Sequence, residues 1–250
     1  QAVRYASRLI FTTTSTRAMY LTRYPRLSPA RCQVIQNGYD EEDFEQVRLS
    51  PSQVIPDTRP LRLIHAGVIY PDDRDPLPFF RAIARLKDAG AVTSAHVKID
   101  LRAAGSEGYY AAALQELNIA DIVFLLPGIP YVEALQECAD ADGLLLFQAA
   151  SCNHQIPAKA YEYLRLGKPV FALTAEKGDT AALLRDNGGA TIADLASTED
   201  LFRAFPRFIA GVRSGGHPVP QREKVRRHSR ESQAQELAAC LSQLVTSHRE

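Results

Sequence analysis

The 250-residue sequence predicts a doubly wound α/β fold, in which helices cover both faces of a parallel β-sheet. Two observations carry this prediction. Short apolar runs, which suit buried parallel strands, alternate with segments whose apolar residues recur at helical spacing. Glycine or proline punctuates many of these runs, as is typical where one element ends and the next begins. Strand–helix–strand connections are right-handed, so a Rossmann-like sheet is the natural outcome.

The chain starts without an element that would lead into its first predicted strand. Arg8–Thr14 has the composition of a strand. Ser15–Tyr24 predicts a helix, with Ser15 or Thr16 as its N-cap. The abrupt start predicts that residues 1–30 are the remnant of a preceding domain or a linker to it.

Two segments before residue 61 are predicted to be irregular. Cys32–Phe44 begins with a short strand, and its Asn37-Gly38 pair predicts a turn because both residues tolerate positive φ. Ser50–Pro60 contains three prolines and is expected to be a surface loop.

The alternation of strands and helices then runs from residue 61 to residue 210, within a domain predicted to span residues 31–228. The predicted strands are Leu61–Gly67, His96–Ala104, Ile122–Leu126, Gly143–Phe147, Val170–Leu173 and Thr191–Ile192. The predicted helices are Pro78–Lys87, Tyr109–Leu117, Tyr131–Ala139, a helix between Pro157 and Gly167, Thr180–Asn187 and Asp200–Ala210.

The last part of the chain is more polar. Glu223–Arg230 is rich in basic residues, and a solvated helix face or loop is favoured over a membrane-surface patch. Residues 229–250 are predicted to form a separate C-terminal amphipathic helix over Ser232–Val245. It would either cover the sheet or expose its apolar stripe of Leu237, Leu241 and Leu244.

Composition narrows the class of protein. The net charge is zero, which gives no electrostatic attraction to nucleic acid, and no apolar run is long enough to cross a bilayer. The four cysteines are scattered, without a CxxC spacing, so neither a metal site nor a redox pair is expected. We therefore expect a cytoplasmic protein, with association with a membrane surface left open.

The most informative stretch is Gln155–Leu173, with the sequence QIPAKAYEYLRLGKPVFAL. Pro157 can start a helix and Gly167 can end it. Lys159 and Glu162 are three residues apart, so they share one face near the helix N-terminus, where phosphate is attracted. A carboxylate one turn further along can accept hydrogen bonds from a ribose diol. An ordinary amphipathic helix with a surface Lys–Glu pair fits the same residues.

PAKAYEYLRLGKPVFAL resembles the donor-binding segment of group 1 (family 4) glycosyltransferases, which have the two-domain GT-B architecture. The resemblance implies that the chain is the C-terminal, donor-binding half, and that an N-terminal domain missing from this chain supplies the acceptor site. Glu162 matches the second glutamate of the paired-glutamate motif, which binds the donor ribose. The first glutamate should stand eight residues earlier, where this chain has His154. His154, Asn153 or Gln155 would then contact the sugar, and changed sugar specificity and loss of catalysis are both open. A loop histidine without a role fits position 154 equally.

The resemblance also places the donor diphosphate at the loop after the first strand of the domain. Gly67 matches the family's glycine, and Arg74 is the best match to its basic residue. The planar guanidinium of arginine suits bidentate phosphate contact. The neighbouring aspartates could instead pair with Arg74 at the surface. The loop contains neither a GxGxxG nor a Walker A sequence, so a plain dinucleotide or P-loop site finds no support.

Two more loops are implicated. In the resembling family, the loop around Gly128 and Ile129 contacts the nucleotide base through backbone groups. Gly178 and Thr180 lie in a predicted turn and N-cap whose backbone N–H groups could face a phosphate, although simple capping is favoured unless the pocket lies there.

The resemblance implies a retaining hexosyltransferase of polysaccharide biosynthesis that uses a nucleoside diphosphate sugar of UDP or GDP type. His154 and Glu162 would occupy its catalytic positions, and neither a cofactor nor a metal is expected. The acceptor would be a glycan or a lipid, and nucleic acid is not an expected partner. A non-catalytic nucleotide-sugar-binding or interaction domain of the same fold is the main alternative, and a sugar-nucleotide epimerase ranks last.

Overall fold

A computed structural model describes residues 2–49 and 54–247 of the chain. Its strands are β1 (Leu9–Phe11), β2 (Cys32–Val34), β3 (Leu61–Ala66), β4 (Val97–Arg102), β5 (Val123–Leu126), β6 (Gly143–Phe147), β7 (Val170–Leu173) and β8 (Ala190–Ala193). Its helices are α1 (Ala2–Tyr5), α2 (Thr14–Arg23), α3 (Pro71–Arg74), α4 (Leu77–Asp88), α5 (Glu107–Glu116), α6 (Tyr131–Asp140), α7 (Ala158–Leu166), α8 (Asp179–Asn187), α9 (Thr198–Arg213), α10 (Arg222–Arg226) and α11 (Arg230–Ser247). Single 3₁₀ turns span Pro29–Arg31, Glu42–Phe44 and Ala150–Cys152.

The main sheet has six parallel strands in the order β5-β4-β3-β6-β7-β8. The strand order reverses between β3 and β6, which pair through Leu63 with Gly143 and Ile64 with Leu144. Ligands of open α/β sheets bind outside the carboxyl ends of the strands at such a reversal. The predicted doubly wound parallel sheet is confirmed, and its topology points to the crevice between β3 and β6.

Side chains of the two central strands alternate between two cores, one on each face of the sheet. Leu145 and Phe147 of β6 pack on the face that α4 and α9 cover, and Leu144 and Leu146 pack on the face of α6 and α7. All four are fully buried. Burial of such side chains stabilises the fold by about 1.5–3 kcal/mol each. It also explains why β6 and β7 are continuous apolar runs in the sequence.

A separate two-stranded sheet pairs β1 with β2 in parallel, and α2 connects these strands. The predicted cap of α2 at Ser15 or Thr16 is wrong. The N-cap is Thr13, whose hydroxyl accepts a hydrogen bond from the backbone N–H of Thr16 at 3.2 Å. Thr13 fits because its backbone is extended and its side chain reaches the third residue beyond.

The turn predicted at Asn37-Gly38 is also wrong. Neither residue has a positive φ or lies in a turn, and the next residue, Tyr39, forms a bridge with Ser229. Glycine is needed at position 38 for another reason. A Cβ there would lie 2.1 Å from the backbone oxygen of His228, so only glycine lets the two chain segments approach.

The basic segment, predicted to be a solvated helix face or a loop, contains the short helix α10. The predicted terminal helix is present as α11, and its face includes exposed Leu237 and Leu241 as well as buried Cys240. Residues 50–53 of the predicted Ser50–Pro60 loop lie outside the described residues, and 54–60 form neither helix nor strand. Within the part of the chain that the structure describes, no helix has both the length and the apolar character to span a membrane.

Candidate functional site

The candidate site lies where β3 and β6 end and α7 begins. Pro157 immediately precedes α7, and Gly167 ends the helix with a φ of +69°. This left-handed conformation favours glycine. The helix therefore has the bounds that the sequence predicted. Its first two turns carry Lys159 and Glu162 to the switch point of the sheet.

Lys159 reaches back from α7 to the last residues of β3. Its ammonium Nζ donates to the carbonyl oxygen of Ala66 at 2.7 Å and lies 3.0 Å from Nε2 of His65. An ammonium has three N–H donors, so these two contacts leave one donor over. Lys159 is only partly exposed. Burial, followed by the nearby charge of Arg74, lowers the pKa of Lys159 to about 8.

His65 is the functional candidate that sequence reasoning missed. It is fully buried in β3, and its ring meets Phe147 edge to face at a centroid distance of 5.1 Å. Its Nδ1 lies 2.9 Å from the carbonyl oxygen of Leu145 on β6. Burial, followed by the charge of Lys159, holds the pKa of His65 well below its ordinary value, so the ring is neutral. A histidine within an apolar strand gives no sequence signal until the neighbouring strand is known.

Gly67, predicted as a close-approach glycine, ends β3 with a φ of +118°. A Cβ at this position would lie 2.7 Å from the Lys159 ammonium nitrogen. Both the backbone conformation and the space therefore require glycine. Because Gly67 has no side chain, the Lys159 ammonium can lie directly beside the backbone of residue 67.

Arg74, the predicted basic residue, ends the short helix α3. Its guanidinium lies over the Tyr70 ring at 5.9 Å from the centroid, and its buried Nε has no hydrogen-bond partner among the described residues. Among the described side chains, Arg74 forms no ion pair with Asp75, whose Oδ1 accepts a hydrogen bond from the backbone N–H of Leu77 at 2.9 Å. The side chains of Asp72 and Asp73, the other two aspartates of that alternative, lie outside the described ones. Arg74 therefore presents an unsatisfied donor near Lys159.

Glu162 lies one turn beyond Lys159. Its Oε1 accepts a hydrogen bond from the hydroxyl of Tyr131 at 2.9 Å, and Asp43 Oδ2 is 3.5 Å from the same hydroxyl. Burial raises the pKa of Glu162, although the Tyr131 hydrogen bond and the Lys159 charge oppose this. Tyr131 leaves Glu162 with further acceptor capacity, because a carboxylate accepts several hydrogen bonds.

His154 lies in the loop between β6 and α7, and its backbone is tied to the N-terminal segment. Its carbonyl oxygen accepts hydrogen bonds from the hydroxyls of Thr13 at 2.6 Å and Thr16 at 2.8 Å. Its imidazole Nε2 lies 3.3 Å from the side-chain amide nitrogen of Gln155. The structure does not bring the His154 ring into contact with Lys159 or Glu162.

Gly178 and Thr180 stand at the start of α8, next to the His154 loop. A Cβ at Gly178 would lie 2.8 Å from Oδ1 of Asn153, a buried acceptor without a described partner. Thr180 is buried, and its hydroxyl donates to the side-chain oxygen of Gln148 and lies 3.1 Å from the carbonyl oxygen of Gln155. The Thr180 side chain therefore ties the start of α8 to the loop that contains Gln155.

Gly128 and Ile129 follow β5, two strands away from β3. Gly128 is exposed, and a Cβ there would have only the Ala103 side chain nearby, at 3.8 Å. Arg102 holds this loop by donating from Nη1 to the carbonyl oxygen of Pro127 at 2.8 Å. The backbone groups of Gly128 and Ile129 are accordingly available at the same edge of the sheet as Lys159.

A cleft of about 490 Å³ opens elsewhere, between the N-terminal segment and the helices α8 and α11. It includes Asp179, Asp186, Arg227 and Glu236 among its lining residues.

No protein-family model and no curated protein matches the sequence. Solved structures do match it. A glycosyltransferase from Rickettsia africae aligns with a TM-score of 0.72 at 12% identity, over 96% of this chain and 64% of its own. Anabaena HepE in complex with UDP aligns with a TM-score of 0.72 at 18% identity, over 97% of this chain and 65% of its own. Sucrose-phosphate synthase from Thermosynechococcus elongatus aligns with a TM-score of 0.67 at 16% identity, over 98% of this chain and 60% of its own.

The chain thus spans less than two thirds of the length of each of these three neighbours. At such low identities the likeness concerns the fold. The chain has the Rossmann-like fold of the C-terminal half of GT-B glycosyltransferases, as the sequence predicted.

Proposed function

We propose that the chain is the donor-binding half of a retaining GT-B glycosyltransferase of family 4, which transfers a sugar from a nucleoside diphosphate sugar to an acceptor hydroxyl. One observation carries the proposal. Arg74 of α3 and Glu162 of α7 both lie close enough to Lys159 to influence its pKa, and the Lys159 ammonium lies beside Gly67 at the switch point of the sheet. This is where an open α/β sheet binds its ligand.

Lys159 and Arg74 are the proposed diphosphate ligands. Each retains an N–H donor without an acceptor among the described residues. Two cations placed so close that one lowers the pKa of the other are costly without an anion. The N-terminus of α7 adds its dipole to the same region. A diphosphate would relieve the repulsion between the two cations and satisfy both donors.

Glu162 is the proposed ribose ligand, accepting hydrogen bonds from the diol while Tyr131 keeps its carboxylate oriented. The backbone of Gly128 and Ile129 is proposed to contact the base, of UDP or GDP type. His154 would lie near the transferred sugar, with Gly178 and the unpaired amide oxygen of Asn153 beside it.

The proposed reaction breaks the bond between the anomeric carbon and the diphosphate oxygen. A new bond forms from that carbon to the acceptor oxygen on the same face of the sugar, and the acceptor proton passes to the departing diphosphate. Lys159 and Arg74 would stabilise the negative charge that develops on the leaving group. The acceptor, a glycan or lipid of polysaccharide biosynthesis, would be held by a preceding domain.

Calorimetric titration of the chain with UDP and with GDP tests this proposal. We expect one nucleotide to bind and Glu162→Gln to weaken it about tenfold to a hundredfold, because a charge-assisted hydrogen bond contributes about 1.5–3 kcal/mol. Glu116→Gln is the matched control, since Glu116 is exposed at the end of α5 that lies at the opposite edge of the sheet. Equal affinity in the wild type and Glu162→Gln would refute the assignment of Glu162, and no binding of either nucleotide would refute the proposed function.

A second candidate is a binding domain that retains the nucleotide site and has lost catalysis. It is favoured by one observation, the histidine at position 154 where the resembling family has its first motif glutamate. Equal affinity for the nucleotide and its sugar conjugate, together with no cleavage of the sugar–phosphate bond, would favour this candidate.

A further inference from the structure

His65 has no part in the proposed contacts to the donor, and yet it touches the residue at their centre. It is fully buried and flanked by Phe147, an environment in which a histidine usually needs both ring nitrogens satisfied. Its ring nitrogens lie within hydrogen-bond distance of the carbonyl oxygen of Leu145 and the ammonium of Lys159. The backbone of Gly67 also lies close enough to affect the pKa of His65.

These two partners determine the tautomer. A carbonyl oxygen can only accept, so Nδ1 must carry the proton that is donated to Leu145 at 2.9 Å. An ammonium can only donate, so Nε2 must be the unprotonated nitrogen that accepts from Lys159 at 3.0 Å. Both requirements are met by one neutral ring. A protonated ring would have two donors and would face the Lys159 ammonium with a like charge.

We propose that His65 is the positioning residue for Lys159: its Nε2 and the carbonyl oxygen of Ala66 hold two ammonium donors, which directs the third toward the diphosphate beside Gly67. The inference rests on the proposed function, because Lys159 is the proposed phosphate ligand. His65 itself does not contact the nucleotide sugar in this proposal. It acts through the lysine, in the way that a buried carbonyl or carboxylate orients a metal-binding histidine.

The groups that face Lys159 come from every element packed around it. Arg74 on α3 disfavours the charged ammonium, whereas Glu162 on α7 and the Cys138 thiol on α6 favour it. His65 on β3 supplies a neutral acceptor, which also favours the charged form. Removing that acceptor should therefore lower the pKa of Lys159, and the loss of nucleotide binding at alkaline pH should begin at a lower pH.

Two variants separate positioning from packing. His65→Asn can keep a donor to Leu145 but is too short to reach Lys159, whereas His65→Gln can place its side-chain oxygen near the lost Nε2. His228→Gln is the matched control, because His228 is also buried and its Nε2 accepts from the side chain of Asn187 at 3.1 Å. Thermal unfolding checks that each variant is folded.

We expect His65→Asn to bind UDP or GDP about tenfold more weakly and to shift the alkaline limb of binding to lower pH. We expect His65→Gln to recover most of the affinity and His228→Gln to behave as the wild type. An unshifted alkaline limb in folded His65→Asn would overturn the proposal, as would an unchanged affinity.

A second readout does not depend on a nucleotide. The rate at which acetic anhydride labels Lys159, followed by mass spectrometry across pH 6–10, measures the pKa of its ammonium. We expect a lower pKa in His65→Asn than in the wild type, and an unchanged pKa would refute the role of His65. Failure of the wild type to bind either nucleotide, with the pKa shift present, would reject the proposed function and leave the contact between His65 and Lys159 established.

Discussion

The carboxyl end of β3 and the loop that precedes α7 each carry a histidine, and the two are held in opposite ways. At the end of β3, His65 is fully buried and both of its ring nitrogens have protein partners. In the loop, His154 is partly exposed and is held by its backbone carbonyl, which two threonine hydroxyls bind. The first histidine is fixed by its side chain and the second by its main chain.

This difference separates a preorganised part of the candidate site from an adaptable one. The Lys159 ammonium is oriented before any ligand arrives, which reduces the entropic cost of binding. The His154 ring is not fixed in this way, and under the proposed function it could adjust to the transferred sugar. If the proposed function holds, diphosphate recognition is expected to tolerate substitution poorly at the β3 end, and sugar recognition is expected to vary at the loop.

The largest expected effect concerns a third histidine, the buried His228, and tests whether burial keeps a histidine neutral in acid. Burial, followed by the charge of Arg227, lowers the pKa of His228 to about 4. Below pH 6.5 the unfolded chain binds a proton there and the folded chain does not, so the free energy of unfolding falls as the pH drops toward 4. The loss from His228 is at most about 3 kcal/mol.

Urea unfolding of the wild type and His228→Gln at pH 7 and pH 4.5 measures this loss. The variant should lose less stability between the two pH values than the wild type does. An equal loss of unfolding free energy in the wild type and in His228→Gln would contradict a buried, neutral His228. His65 has the same sign of shift, so the variant should keep part of the acid limb.

Gly67→Ala should disturb the preorganised part of the candidate site at the end of β3. The φ of +118° disfavours alanine, at a cost of about 1–2 kcal/mol in unfolding free energy, and the new methyl would displace the Lys159 ammonium. We expect lower stability together with weaker UDP or GDP binding. Gly90→Ala controls for the backbone, because Gly90 also has a positive φ, at +68°, but nothing lies within 4 Å of a Cβ there. Intact nucleotide binding in Gly67→Ala would count against the placement of Lys159.

His154→Ala should give the smallest change in stability, under about 0.5 kcal/mol, because the carbonyl that binds the two threonines remains. We expect binding of the free nucleoside diphosphate to change less than twofold and binding of the sugar conjugate to weaken. Thr13→Val is the informative contrast, since it removes both the α2 cap and one hydrogen bond to residue 154. A larger loss of stability in His154→Ala than in Thr13→Val would reverse this view of the loop.

The fold was predictable because its signals are local. The strands Gly143–Phe147 and Val170–Leu173 have the bounds that apolar runs predicted, and α7 ends at the predicted glycine. One error arose where the partner is distant in sequence, and the other arose from the position at which a helix begins. Asn37-Gly38 has turn composition, but the backbone of residue 228 determines its conformation, and Thr13 is the cap because α2 begins one residue earlier than its pattern indicates.

The candidate site was predictable only in part. Lys159 and Glu162 share a helix face, which spacing alone establishes, whereas the assignments of Gly67 and Arg74 came from resemblance. His65 could not be found in this way, because its role depends on β6 lying beside β3. Hydrogen-bond partners of this kind are set by strand order, which a single sequence does not state.

The pairing of β3 with β6 has a consequence for the order of assembly. The bond between His65 and Leu145 spans 80 residues, and the bond between Lys159 and His65 spans 94. Contacts this distant close large loops and form slowly. Each outer set of three strands can form from nearer neighbours, so the junction that holds Lys159 is expected to be completed last. A nucleotide bound across it would act as a clamp between two sub-structures and slow their separation.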